Sequence, residues 1–435
     1  MQPRASYQTG WVCVCVFTVT VLSSHLVLAS LFEANSPLSR ETLQQRVAAL
    51  QKSSRILDQW ILERGSPETI SAFRQGIELI NQLNPQGLRL LENAMLREVN
   101  NTVFTPLFLR YIELIEAWEA ADQEEAFLKR LKQRYPHSTQ AQAAVVVRSA
   151  ARARQELMKQ GLAKINEALQ KAPQNVLART LRAALLIQQP ETLSQGIMAF
   201  EEIQRAAEAN SLEAQIVTFY REHNQHQLMS PQRFFPVATI TPVSYLSERL
   251  DLQIKKLSPK AWSAIQQGRR MGSTGGGEPA LSELEQALEE QQQNPVAFGV
   301  LLARYLDLAQ TANRLPRAIA LCAQLAELHP QSPQAKAAYG YVLATGQADA
   351  IMREGLQRLE QITTRDPNNF FLWTARVLYL AQTPQRMGEA LSALDHIKST
   401  TQFRLAAVDH LFTQAARTSP AVFAQPADSS PLKGQ

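Results

Sequence analysis

The chain has 435 residues, 45% of them hydrophobic and 19% charged, and 44 basic against 39 acidic side chains give a formal net charge of +5. Such a chain carries too many apolar residues for intrinsic disorder, and its charge excess is too small to be a concentrated basic face. Seventeen glycines, 7% aromatics and recurrent Ala, Leu, Gln and Glu favour helices and disfavour an all-β sandwich or barrel, and three cysteines exclude a disulfide framework.

Residues 1–29 read as a secretory signal. Arg4 is the only charge in the first ten residues, an apolar run follows from Trp11 to Leu22, and Val27-Leu28-Ala29 supplies the short residues that cleavage requires. An uncleaved anchor is the alternative, because Trp11 to Phe32 is 22 residues, long enough to span a bilayer of ~30 Å. Either way the expected location is the periplasm, free in the first case and facing it from the inner membrane in the second. Cleavage after Ala29 removes Cys13 and Cys15 and leaves Cys322, whose small apolar neighbours predict a buried thiol.

Residues 30–120 predict a helical cap, with helices over Leu43–Leu62, Thr69–Leu83, Gly87–Val99 and Phe104–Trp118. A first repeat block occupies 121–228 and a second 258–417. Between them, 229–257 predicts a crossing loop and a connecting helix, since 229–245 holds Pro231, Pro236 and Pro242 beside β-branched residues. Met271 to Pro279 reads as a flexible insertion, and 418–435 as a polar, disordered tail.

Prolines define the repeat. A small residue stands twelve positions before proline and an apolar one eight before it: Gly161, Ile165 and Pro173; Ala318, Cys322 and Pro330; Gly355, Leu359 and Pro367. Leu128 and Pro136 keep the shorter spacing, while Gly196 with Phe200 and Ala390 with Leu394 keep the small-to-apolar step. Pro136 to Pro173 and Pro330 to Pro367 are each 37 residues. Two helices that cross closely need a glycine or alanine at the crossing, and a larger residue one turn on fills the adjoining groove. The period therefore predicts helical hairpins, separated by prolines and stacked on one another.

These spacings resemble the tetratricopeptide repeat. Trp373 stands six residues after Pro367, Gly340 ten after Pro330 and Ala183 ten after Pro173, matching the aromatic and small positions of that family's first helix. The resemblance covers roughly 120–210 and 258–400. It implies an all-α fold, an α-solenoid of stacked antiparallel hairpins, whose concave surface binds a peptide or a partner protein. The inner surface of that repeat type then falls on Leu177 and Ala184, Leu302 and Leu306, Tyr341, and Phe371 and Leu378. Nearly uncharged, this lining suits an amphipathic helix or an extended apolar segment. The competing expectation is that the chain's own N-terminal helices or tail cover it, because large bare apolar patches are uncommon.

Motifs of catalysis or cofactor binding do not stand out. Gly275-Gly276-Gly277 has no Gly-Lys-Ser/Thr end and follows a helix, so it reads as a connector and not a phosphate loop. His223 and His226 are three apart and lack the His-Glu-x-x-His pattern of a zinc hydrolase. Asp395-His396 and Asp409-His410 read as surface pairs, and Arg130, Lys132, Arg134 and Arg269-Arg270 as cations at helix C-termini. Asn100-Asn101-Thr102 fits a glycosylation acceptor. The expectation is an exported, non-enzymatic scaffold of a bacterial-type envelope, with no cofactor, metal or nucleic acid and with an envelope protein or peptide as partner. The alternative is an accessory or hydrolase of cell-wall polymers, although the Glu-Ser dipeptide of the soluble transglycosylases is absent from this sequence.

Overall fold

A computed structural model describes residues 39–189, 192–208, 211–229, 242–270, 277–381 and six positions between 389 and 397. The expected signal, most of the crossing loop, the glycine run at 271–276 and the tail lie outside these residues. The described residues are all-α, without a strand. In chain order the helices are α1 (Arg40–Ser53), α2 (Arg55–Arg64), α3 (Pro67–Asn81), α4 (Gln86–Arg97), α5 (Phe104–Trp118), α6 (Ala121–Arg134), α7 (Thr139–Lys171), α8 (Val176–Leu186) and α9 (Leu193–Ala206). They continue with α10 (Leu212–Met229), α11 (Pro242–Leu257), α12 (Pro259–Arg270), α13 (Gly277–Glu290), α14 (Pro295–Thr311), α15 (Leu315–Leu328), α16 (Pro333–Val342), α17 (Ala348–Arg365) and α18 (Phe370–Ala381). One turn of π-helix, Leu343–Gln347, joins α16 to α17.

Local chemistry sets the helix ends. Ser39, Ser66, Asn175, Asn294 and Ser332 each accept a backbone N–H of the first turn, and Pro67, Pro295 and Pro333 occupy first helical positions, where no donor is lost. Helices α6, α7, α15 and α17 stop at Arg134, Lys171, Leu328 and Arg365, two residues before Pro136, Pro173, Pro330 and Pro367. Prolines thus punctuate the chain as the spacing predicts.

Two local readings change. The expected helix Leu43–Leu62 is broken at Ser54, which is fully buried and donates its hydroxyl to Glu113 Oε2 at 2.5 Å. Residues 242–245, expected in the crossing loop, begin α11, since Pro242 sits at a helix start that tolerates it.

The chain divides into two compact units. Of the described residues, unit 1 takes those up to 151 and from 355 onward, and unit 2 takes those within 152–354. Both repeat blocks of the sequence contribute to each.

In unit 1, α5 is buried around nearly its whole circumference and packs against α1, α2, α4, α6 and α18. Its aromatic residues meet others edge-on or stacked: Phe104 and Phe108 lie 4.9 and 5.3 Å from Phe371, and Tyr111 lies 5.1 Å from Phe127. Trp60 of α2 packs on Phe370 at 5.7 Å. Helices α3 and α4 cross where Gly76 and Gly87 meet; a Cβ on Gly87 would lie 2.4 Å from the Gly76 carbonyl oxygen.

In unit 2, α14 occupies the corresponding central place and packs against α8, α10, α11, α13, α15 and α16. Its buried residues alternate small and large: Ala297, Gly299, Val300 and Ala303 stand beside Phe298, Leu301, Leu302 and Tyr305. Helices α8 and α9 form a hairpin whose crossing is Gly196 against Ile187 and the Ala183 carbonyl.

Candidate functional site

The seven residues assigned to a partner groove are distributed between the units. Leu177 and Ala184 on α8, Leu302 and Leu306 on α14 and Tyr341 on α16 belong to unit 2; Phe371 and Leu378 on α18 belong to unit 1. Within unit 2 the first-helix faces turn toward one another. Leu177 Cδ1 lies 3.2 Å from where a Cβ on Gly299 would stand, one turn before Leu302, and Ile216 of α10 closes the same gap. Tyr341 packs edge-on against Tyr220 of α10, with ring centroids 5.7 Å apart.

Leu177, Ala184, Leu302, Tyr341 and Phe371 are consequently buried, at 6% exposure or less, while Leu306 and Leu378 are half-buried. In unit 1, Phe371 is covered by Phe104 and Phe108 of the N-terminal helices. Among the described residues this lining is therefore core, apart from half-buried Leu306 and Leu378. Cover by the N-terminal helices was the competing expectation, and Phe104 and Phe108 supply it at Phe371; Ile216 and Tyr220, which lie outside the repeat spacing, were not foreseen.

Charges fall into paired networks. On α5, Arg110 is 1% exposed; it forms an ion pair with Asp58 at 3.1 Å and donates to Glu113 Oε2 at 3.3 Å and to the Leu50 carbonyl at 3.4 Å. Fully buried Glu92 accepts from Tyr111 Oη and from Gln123 Nε2, both at 2.9 Å, and is paired with Arg130. Burial first, and the adjacent Glu92 carboxylate second, push the Tyr111 hydroxyl well above its ordinary range, so it stays a donor. Arg148 pairs with Glu124 and with Glu116; burial opposes its charge, but the two carboxylates outweigh that and raise its pKa.

In unit 2, Arg304 of α14 donates to Asp251 at 2.8 Å and pairs with Asp307. Arg317 holds Glu285 in a two-point contact at 2.6 and 2.8 Å, and the same carboxylate accepts from Tyr305 Oη at 2.7 Å. With each of these acids held by an arginine or a tyrosine, they join helices together. Arg304 and Arg110 both interrupt apolar helical runs, which is the sequence signal by which they could have been found.

The remaining sequence candidates are placed as follows. Cys322 is buried and free, and burial pushes its thiol up to about 12. Arg134 lies over the Tyr135 ring at 5.6 Å, and His396 stacks on Trp373 at 3.9 Å. Trp373 Nε1 donates to the Pro367 carbonyl at 2.7 Å, which ties the aromatic six residues after that proline to the helix junction. Asn100 is exposed in a turn. His223 and His226 lie on α10, whereas Asp395, Asp409 and His410 fall outside the described residues. Among the described residues no helix is long and apolar enough to cross a membrane, and no three His, Cys, Asp or Glu side chains are grouped to hold a metal ion.

Comparison with protein-family models, with curated proteins and with solved structures finds no match for this chain.

Proposed function

We propose that this chain is an exported, non-catalytic scaffold of a cell envelope, built from tetratricopeptide-like hairpins arranged as an α-solenoid, which holds a partner protein or peptide. One observation carries the hairpin part of the reading. At the α8–α9 crossing, Gly196 meets the carbonyl of Ala183, which pairs the small position of a second helix with the small position of the first, as the repeat spacing requires. The leader-like first 29 residues support export. The networks just described support a scaffold, because their carboxylates are held by arginines between helices.

Partner contact falls at the open edges of the lining, Leu306 and Leu378, where an apolar segment would add to surface already half covered. The test is crosslinking capture from the compartment to which the tagged chain is exported, comparing wild type with Leu306→Ser, Leu378→Ser and Tyr341→Ser. Loss of the same captured protein in either of the first two, with unchanged melting, is the expected result. Tyr341→Ser should lower the melting temperature, because that ring is core. Capture that survives both edge variants would remove the site, and a chain retained in the cytoplasm would remove the envelope assignment.

A further inference from the structure

We infer that the corner between α11 and α12, built on Leu252, Lys255, Lys256, Lys260 and Trp262, docks the protein on a lipid surface with anionic headgroups. The inference goes beyond the scaffold reading, since it concerns the surface on which the protein rests and not the protein it holds.

The buried side of the corner fixes its geometry. Leu250, Asp251 and Ile254 of α11 and Ala261 and Ile265 of α12 are at most 3% exposed. Asp251 accepts from Arg304 at 2.8 Å, which ties α11 to α14. A single residue, Ser258, stands between the two helices. Its N–H donates to the Ile254 carbonyl at 2.7 Å, and its hydroxyl accepts from the Ala261 N–H at 3.4 Å. Pro259 then opens α12, where a missing N–H costs nothing.

With one side held against the core, helical periodicity decides what the other side shows. Leu252, Lys255 and Lys256 share a face of α11 at i, i+3 and i+4, and the first turn of α12 adds Lys260. All four are exposed, and Leu252, at 62%, is the most exposed leucine among the described residues. Lys255 Nζ lies 4.9 Å from the centre of the half-buried Trp262 ring, which brings the indole into the same patch.

These cations are not neutralised from within. Among the described residues no carboxylate pairs with Lys255, Lys256 or Lys260, whereas Arg179, Arg304, Arg314, Arg317 and Arg353 of the same unit are each held by an acid. The helix dipole favours Lys255 and Lys256 in the last turn of α11. It opposes Lys260 in the first turn of α12, so helix electrostatics do not account for the cluster.

Three uncompensated cations complement an anionic partner, and Leu252 and Trp262 decide which kind. An acidic peptide or a soluble polyanion would answer the lysines and leave the leucine bare. A bilayer answers both. Lysines keep their ammonium groups among anionic headgroups, the leucine enters the acyl boundary, and an indole prefers the interface between them. The exposed residues Pro259 and Lys260 make the corner a projection, which presses into a surface, whereas a peptide site is a groove.

The test is co-sedimentation of the full chain with vesicles of phosphatidylcholine alone and of equimolar phosphatidylcholine and phosphatidylglycerol. Residues 1–29 are common to all variants, so their own affinity for lipid cancels in the comparison. Wild type should bind the anionic vesicles about 100-fold better than the triple variant Lys255→Gln/Lys256→Gln/Lys260→Gln, at about fivefold per lysine, and match it on neutral ones. The gap should close as salt rises. Leu252→Ser should lose about tenfold with its charge intact. Both variants should melt as wild type does, because the substituted side chains are exposed. Equal binding of wild type and the triple variant to anionic vesicles overturns the inference. Binding of soluble poly-glutamate that the triple variant loses, with Leu252→Ser silent toward vesicles, makes the occupant an acidic peptide and overturns the lipid assignment. Retention of the chain in the cytoplasm would remove the envelope assignment alone, since this measurement is made on purified protein.

Discussion

The two units solve one problem with different residues. Each has a central helix, α5 or α14, that is buried on nearly every side and carries a single arginine answered by two acids. Around α5 the filling is aromatic, with Phe104, Phe108 and Tyr111 reaching Phe371 and Phe127. Around α14 two aromatic residues, Phe298 and Tyr305, are also buried, but small residues stand among them, and Gly299 lets Leu177 and Ile216 approach the backbone. Aromatic rings hold helices apart and bring large contact areas, whereas small residues let backbones come close. Both units thus bury their central helix, and the buried arginine is common to both.

The largest expected effect tests that common element. Arg110→Ala and Arg304→Ala each leave buried carboxylates without their cation, and each should cost about 3–5 kcal/mol in urea unfolding. If only one of them does so, the two central helices are not equivalent.

Next in size are the fillings. Phe371→Ala should cost about 3–5 kcal/mol, and Leu302→Ala about 2–5 kcal/mol, since both side chains are at most 1% exposed. Comparable losses would mean that the aromatic unit gains nothing extra from ring geometry; a larger loss at Phe371 sharpens the contrast.

The glycine crossings come third. A Cβ on Gly161 would meet a backbone carbonyl at 2.4 Å, so Gly161→Ala must move a helix, at about 1–3 kcal/mol. On Gly355 it would meet the hydroxyl and ring of Tyr379, itself 1% exposed, so Gly355→Ala must displace a buried ring and should cost a comparable amount. The bulkier Gly355→Leu should still overpack by about 1–3 kcal/mol. An unchanged midpoint in Gly161→Ala would break the small-residue account of unit 2.

The smallest effect is a pH dependence in unit 1. Glu98 is opposed by burial, yet hydrogen bonds from Thr69, Ser66 and Asn101 hold its carboxyl below the usual range. A depressed carboxylate stabilises the fold above the unfolded value of about 4.3, and that stabilisation is lost as pH falls through the lower folded value. Glu98→Gln should cost about 1 kcal/mol at neutral pH and flatten the acid limb of a stability profile.

Helix content, the proline stops and the glycine crossings were legible along the chain because each depends on near neighbours. Phe104–Trp118 was legible to the residue, since its apolar run is bounded by turn residues. The break at Ser54 was not, and the partner of its hydroxyl there, Glu113, lies far away in sequence. The groove residues show the same limit. Their apolar character is plain in the sequence, but whether an apolar face is open depends on what packs against it, and Tyr220, Phe104 and Phe108 supply that cover from outside the repeat pattern.

By itself, the sequence determined where helices stop and which residues allow close approach, because missing N–H donors, absent Cβ atoms and helical periodicity act locally. Only the tertiary structure decided which helices meet. Gly161 is a small residue in search of a small partner, and nothing local says that this partner is Gly340, far along the chain. Packing chose Gly340, because two helices can touch closely only where both lack a bulky side chain.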